Sequence, residues 1–366
     1  MRVALLADES FALREHAMLA RLEVGLADEG ARVVRAVPSR VVDMSPAGLA
    51  TPVVGYEPRG LAWTRRARAG RLGERLAAAL GFEAEPGEGW LDVVHALGTE
   101  AWPVALELAR LCGAGLALEV FDAAGLRAAR DLARTDLPAR VVLNAADDAL
   151  AAALHTTRAP AEVNLAAWGV HVPESERPPI DARGPVAVAV LCTGAEPRGV
   201  HAMLEGLAAV CADGTDLMLF VDAQAGRRAG VWPRARALGL LDRVSLVGNL
   251  EGYREPVLHV DVLVQPEAVG SHHSLMLDAM AGGVAVVARR DAMVSALIDG
   301  VTARLVGAPT PQGWADAVRG LVSDPAGGAA LAASARDWIR RHRTASGQVA
   351  AVLGAYARLS PAPARA

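Results

Sequence analysis

The chain is expected to be an α/β protein built from two doubly wound parallel-sheet domains, and three observations lead to that expectation. Short apolar strands alternate with helices from one end to the other, the pattern of parallel strands joined by crossover helices. At 366 residues the chain is long for one core and comfortable for two. A stretch rich in proline and charge, HVPESERPPIDARG (His171–Gly184), interrupts the alternation, and a second strand–helix series begins directly after it. The expected division is therefore a first domain over 1–172, a linker over 173–184, a second domain over 185–345, and a C-terminal helix and frayed tail over 346–366. That last helix is free to cross back to the first domain. In open sheets of this kind ligands bind beyond the carboxyl ends of the strands, so the functional loops of both domains are expected to face a shared cleft.

The elements follow in order. Val3–Ala7 is a short apolar strand, Arg14–Glu29 an amphipathic helix stopped by Gly30, and Arg32–Ala36 a second strand. Asp92–Ala96 (DVVHA) is a strand and Trp102–Leu111 a helix. Leu116–Phe121, Arg140–Asn144 and Val163–Ala167 complete the first series of strands. After the linker come strands at Pro185–Cys192, Asp216–Asp222, Arg243–Gly248, Asp261–Pro266 and Val284–Ala288. Helices at His201–Val210 and Arg228–Leu238 lie between them. A long C-terminal helix, Ala329–Leu359, is expected to break near Ser346, before the low-complexity tail SPAPARA.

Composition excludes several classes of function. A formal charge of −4 argues against a general nucleic-acid binder. The sequence contains no lysine, which excludes a lysine P-loop, a pyridoxal-phosphate Schiff base and a Ser–Lys nucleophile pair. Any phosphate-binding cation is then an arginine, which adds two-pronged geometry to the charge. Cys112, Cys192 and Cys211 are scattered without ligand spacing, as expected of reduced thiols in a cytoplasmic protein. The start, MRVALLADES, is strand and turn rather than a signal peptide, and no apolar run is long enough to span a bilayer. No Asp-x-Asp and no His/Cys cluster of metal spacing occurs, so neither a metal nor a cofactor is expected.

The most informative stretch is Val262–Val306, in which an apolar strand runs through a loop of Pro, Gly, His and Ser onto a helix at Ser274–Ala281. Such a helix start combines unpaired amides with a positive dipole and suits a phosphate. Ser271, His272, His273, Ser274 and the amide of Leu275 either bind a diphosphate or form an ordinary cap with exposed histidines. Elsewhere, His95 ends a strand on the functional edge, either as an acid–base group or as a satisfied structural histidine. Glu9 and His16 near the first turn are further candidates for acceptor chemistry. Arg59–Arg75 is the most basic run; it either rests on an anionic membrane or is a solvated helix weakened by Gly70 and Gly73.

Several segments resemble GT-B fold enzymes, and specifically retaining glycosyltransferase family four. LDAMAGGVAVVARRDAMVSALIDGVTARLV is similar to the family stretch Glu-Ala-Met-Ala-Cys-Gly-x-Pro-Val-Val-Ala and the Glu-Asp-Gly-x-Thr-Gly run that follows it. TGAEPRGVHAMLEGLAAV resembles the Pro-x-Lys-Gly segment, and ALGLLDRVSLVGNL the Leu-Gly-Leu-x-Asp-Arg-Val segment. LDVVHALG and APAEVNLAAWGVHVP resemble the family's first-domain strand end and the segment before its linker. The resemblance is strong over 185–325, weaker over about 90–175, and rests on element order before that.

The resemblance implies two Rossmann-like domains and sugar transfer from a nucleotide-sugar donor to a glycan, lipid-linked or small-molecule acceptor, with retention of configuration. It places the donor ribose at Asp278, where the family has a glutamate, and a diphosphate clamp at Arg198, where it has a lysine. The family's loop glutamate falls on Gly270, its clamp arginine near Ala195, and its first-domain histidine on Phe121, which leaves Asp122. The catalytic candidates are accordingly His273, Asp122 and His95. Two further readings are open: a GT-B-like protein that binds nucleotide sugars or glycans as a scaffold without turnover, and a sugar-nucleotide epimerase.

Overall fold

The alternating apolar runs fold into two all-parallel sheets, each in its own compact unit: Met1–Trp168 with Ala345–Ala366, and Gly169–Thr344. The computed structural model describes residues 1–43, 51–59, 62–81, 89–138, 140–157, 161–174, 184–250 and 254–360. Most of the linker expected over 173–184, and the tail after Ser360, lie outside the described residues.

The first unit runs β1 (Arg2–Ala7), α1 (Glu9–Arg14), α2 (His16–Asp28), β2 (Arg32–Pro38), β3 (Val53–Tyr56) and α3 (Ala62–Ala79). It continues with β4 (Val93–Leu97), α4 (Trp102–Cys112), β5 (Gly115–Val120), α5 (Ala123–Asp131), β6 (Val141–Ala145), α6 (Asp148–Thr156) and β7 (Glu162–Leu165). Among the described residues its sheet has seven strands in the order β3-β2-β1-β4-β5-β6-β7. β1, β4 and β5 are almost wholly buried, as strands covered by helices on both faces must be.

The second unit runs β8 (Val186–Val190), α7 (Pro197–Ala212), β9 (Leu217–Asp222), α8 (Ala223–Ala229), α9 (Val231–Ala237), β10 (Val244–Val247) and α10 (Arg254–Leu258). Then come β11 (Val262–Gln265), α11 (Ser274–Ala281), β12 (Ala285–Arg289), β13 (Arg304–Val306), α12 (Pro311–Ser323) and α13 (Pro325–His342). Its sheet order is β10-β9-β8-β11-β12-β13. The chain reverses its winding direction at β1/β4 in the first sheet and at β8/β11 in the second. These are the two points where crossover helices part and leave room for a ligand beyond the strand ends.

Three helix expectations are corrected. Arg14–Glu29 is two helices that break at Glu15, whose amide turns back to the Phe11 carbonyl. Arg228–Leu238 is also two, because Gly230 adopts a left-handed conformation (φ +67°) and ends α8. The C-terminal break falls at Arg343–Thr344 rather than near Ser346, and the last helix, α14 (Ala345–Leu359), belongs to the first unit. By contrast, α3 runs straight through Gly70 and Gly73. Burial of Ala69, Leu72, Leu76 and Ala77 outweighs the weak helix propensity of two glycines.

Polar contacts anchor α14. His95 on β4 is fully buried, its Nδ1 2.7 Å from the Tyr356 hydroxyl on α14 and its Nε2 3.1 Å from Glu119 on β5. The other Glu119 oxygen accepts the Trp168 indole N–H at 2.6 Å. Trp168 also stacks on Phe121 at 5.2 Å, while Phe11 meets both rings edge-on. The C-terminal helix is thus fixed by a satisfied polar network inside an apolar core, where any broken member would leave a buried group without a partner.

Candidate functional site

At the β8/β11 reversal, two loops emerge side by side and are held by reciprocal carboxylates. Glu267, just after β11 and 2% exposed, accepts from the Thr193 amide (2.6 Å) and hydroxyl (2.8 Å) with one oxygen. Its other oxygen accepts from the Glu196 amide at 2.9 Å. Glu196, at the start of α7, returns the contact: its Oε2 accepts from the Ala268 amide at 2.9 Å and pairs with Arg289 at 2.6 Å. Each loop therefore supplies the anion that satisfies the other's amides.

The loop then turns at Gly270, whose φ of +65° is a left-handed conformation that a side chain would strain. A Cβ placed there would lie 2.7 Å from the Met293 sulfur. The Gly270 amide donates to the buried Asp291 carboxylate at 2.7 Å, and the second Asp291 oxygen accepts the Met293 amide at 2.9 Å. A side chain at the position that the resemblance assigns to a glutamate would thus be strained by the left-handed turn and would have to displace Met293.

His272 and His273 are 5% and 6% exposed, so the alternative of exposed histidines does not hold. His273 is the N-cap of α11 and makes no side-chain capping bond, so capping by Ser274 is likewise corrected. Ser274 is fully buried, and its hydroxyl accepts from Arg254 on α10. The same guanidinium pairs with Asp278 one turn further along, with both side chains close to nine-tenths buried. Ser271 is half-buried on the approach to the helix, and Leu275 is fully buried in its first turn. Arg198 stands exposed in the first turn of α7, while Ala195 is exposed and carries no charge.

In the first unit, the β1/β4 reversal holds a group that the sequence analysis did not single out. Asp8 follows β1, is 5% exposed, and accepts from the amides of Phe11 (2.9 Å) and Glu100 (3.2 Å). Gly98 (φ +93°) faces it so closely that a Cβ there would fall 2.1 Å from Asp8 Oδ2. Burial pushes the Asp8 carboxyl up to about 6; the two amides oppose the rise, and the Glu100 and Asp122 carboxylates add to it.

The other first-unit candidates are scattered. Asp122 caps α5 by accepting the Gly125 amide at 2.6 Å, Glu9 pairs with Arg40, and His16 opens α2 half-buried. His95 has both ring nitrogens engaged in the core. Phe121 is packed between Phe11 and Trp168. Of the three catalytic candidates, His95 and Asp122 belong to the first unit and His273 to the second. What the sequence analysis missed is Asp8, Arg254, Glu267, Arg289 and Asp291. Of these, Glu267 carried a signal: a lone acid directly after a Pro that ends an apolar strand.

Comparison with known proteins agrees with this architecture. Residues 187–324 match the family described as glycosyl transferases group 1. No curated protein sequence matches the chain. Among solved structures, sucrose-phosphate synthase from Thermosynechococcus elongatus is similar over 98% of this chain and 99% of its own, at 16% identity and a TM-score of 0.73. Anabaena HepE in complex with UDP-glucose is similar over 97% and 99%, at 15% identity and a TM-score of 0.73. WaaG, a glycosyltransferase involved in lipopolysaccharide biosynthesis, covers 96% and 99% at 14% identity and a TM-score of 0.61. The frame is that of the GT-B fold, and the match to the glycosyl transferases group 1 family falls within the second unit.

The raised Asp8 value has a stability consequence with a definite sign. The folded chain holds this proton up to about pH 6 and the unfolded chain only to about 3.8, so folding is progressively disfavoured as pH rises between them. Relative to Asp8→Asn, the wild type should lose about 2 kcal/mol of unfolding free energy between pH 4 and pH 7. Urea unfolding at both pH values measures this; a wild-type-minus-variant difference that stays constant with pH contradicts it.

Proposed function

We propose that the chain is a glycosyltransferase that moves a sugar from a nucleotide-sugar donor to an acceptor glycan or lipid-linked saccharide. The observation that carries the proposal is the β8/β11 reversal of a glycosyltransferase domain, where a helix start, two buried histidines and a carboxylate one turn in lie together. The donor diphosphate is assigned to the loop Gly270–Leu275, with Arg198 beside it, and the ribose to Asp278. The α11 dipole and Arg254 then offset the charge that develops on the departing nucleotide. Acceptor chemistry is assigned to the carboxyl edge of the first sheet near Asp8 and Asp122. Retention of configuration, and membership of family four, rest on the sequence resemblance. HepE, solved with UDP-glucose, and WaaG, of lipopolysaccharide biosynthesis, support a nucleotide-sugar donor and a cell-envelope acceptor.

Two observations favour the alternative of a nucleotide-sugar-binding scaffold. Gly270 carries no loop carboxylate, and Asp278 is already paired with Arg254. Titration of UDP-, GDP- and ADP-sugars by thermal shift, followed by assay of donor hydrolysis and transfer, separates the two. Binding with turnover is expected; binding without turnover selects the scaffold, and absence of any nucleotide binding defeats both. Asp278→Asn should weaken nucleoside diphosphate binding roughly tenfold, the worth of one charge-assisted hydrogen bond, and unchanged affinity contradicts the ribose assignment.

Contact with a membrane surface is proposed at α3. Its apolar side is buried in the first unit, and Arg65, Arg66, Arg71 and Arg75 are exposed, although Gly60 and Leu61 of the basic run lie outside the described residues. Among the described residues no helix is long and apolar enough to cross a membrane. Adsorption is therefore expected to be electrostatic. The chain should co-sediment with phosphatidylglycerol vesicles in low salt and lose this when Arg65, Arg66 and Arg71 become glutamate. Equal binding to neutral phosphatidylcholine vesicles contradicts it.

A further inference from the structure

We infer that Arg289 is the second cation of a diphosphate-binding pocket, acting from the end of β12 together with Arg198. The inference deepens the donor assignment proposed above and takes the identity of its ligand, a nucleoside diphosphate, from that reading.

A cavity of about 540 Å³ opens at the start of α7, lined by Glu196, Pro197, Arg198, Gly199, Arg289 and Pro309. It lies at the carboxyl edge of the second sheet, because Arg289 ends β12 and β12 pairs with β11, the strand at the winding reversal. Two guanidinium groups therefore reach one cavity from two different loops. Arg198 is exposed and, among the described residues, has no ion-pair partner. The Arg289 side chain is 27% exposed and keeps solvent access while its Nη1 contacts Glu196 Oε2 at 2.6 Å. Only one of the planar donor edges of Arg289 is needed for that contact, and a guanidinium carries five donors in all.

The donors that reach the cavity suit an anion with more than one negative group. Two arginines and the positive end of the sixteen-residue α7 stand beside two carboxylates: Glu196, shared with the Ala268 amide, and the buried Glu267, whose oxygens are taken up by Thr193 and the Glu196 amide. A single phosphate would be met by Arg198 alone. A diphosphate offers a separate negative group to each of the two arginines that line the cavity. The loop after β8 offers no other cation, since Ala195 is uncharged; Arg289 supplies the charge from across the sheet. Glu196 then has two roles: it orients Arg289 and it competes with the ligand for it.

That double role gives a test with opposite outcomes for neighbouring residues. Calorimetric titration of the full chain with inorganic pyrophosphate, UDP, GDP and ADP is compared with Arg289→Gln, Arg198→Gln and Glu196→Gln, each checked for an unchanged melting curve. Arg289→Gln and Arg198→Gln should each weaken pyrophosphate and the tightest nucleoside diphosphate roughly tenfold or more. Glu196→Gln keeps the acceptor for Ala268 and removes a competing charge, so it should tighten both. Unchanged affinity in Arg289→Gln, or weakening in Glu196→Gln that matches it, makes the pair a structural strut and overturns the inference. Nucleotide binding that ignores Arg289 leaves the donor assignment standing without this pocket. Arg289-dependent pyrophosphate binding with no nucleotide binding leaves the pocket standing and removes the donor assignment. Failure of both probes on the wild type removes both.

Discussion

Two glutamates hold the loops after β8 and β11 to each other, and the shape of the candidate site follows from that exchange. Each carboxylate sits at the opposite loop's amides: Glu267 takes Thr193 and Glu196, and Glu196 takes Ala268 and the Arg289 guanidinium. Hydrogen bonds to a charged acceptor contribute roughly 1.5–3 kcal/mol each, and a buried amide left without one costs a similar amount. The two loops are therefore one mechanical body. The same contacts place Arg198 at the head of α7 and bring Arg289 beside it, so the cationic character of the edge depends on a pair of acids.

A second constraint limits what chemistry the edge supports. Gly270 is held in a left-handed turn by Asp291 and roofed by Met293, so at that turn the β11 loop brings no carboxylate to the α11 helix start, its Glu267 being engaged with the β8 loop. In the proposed reading, binding and charge offset on the second unit fall to arginines and the helix dipole. Arg254 adds to this by bridging Ser274 and Asp278, which puts a buried cation where the nucleotide is assigned. Asp278 is in consequence a carboxylate with an existing partner, and a ribose would share it rather than meet it alone.

The fold was legible because both sheets are buried on two faces, and near-continuous runs such as VAVAV and VLVQ leave no other reading. The α11 start and Arg198 were legible too, since both lie next to strand ends in sequence. What escaped was every group whose role comes from a non-local contact. Arg254 and Arg289 look like ordinary surface arginines in a chain without lysine, and only the sheet order brings Arg289 to Glu196. Asp8 looked like part of a turn; its burial against Gly98 and the Glu100 amide is a product of β1/β4 pairing. His95 shows the same limit. The sequence leaves it open between an acid–base group and a satisfied structural histidine, and Tyr356 and Glu119, distant in sequence, absorb both of its nitrogens and make it structural.

The central claim is that the two loops form one reciprocal unit, and hydrogen exchange on Glu267→Gln tests it most directly. Glutamine keeps the size of Glu267 but turns one of its acceptors into a donor facing an amide, so the Thr193 or Glu196 amide must lose its partner. If the lock is reciprocal, protection falls at Thr193 and Glu196 and also at Ala268, which adjoins residue 267 in the chain but whose amide is held by the Glu196 carboxylate rather than by the residue 267 side chain. Loss confined to Thr193 and Glu196, with Ala268 and Gly270 as protected as in the wild type, would show two independently held loops and contradict the account.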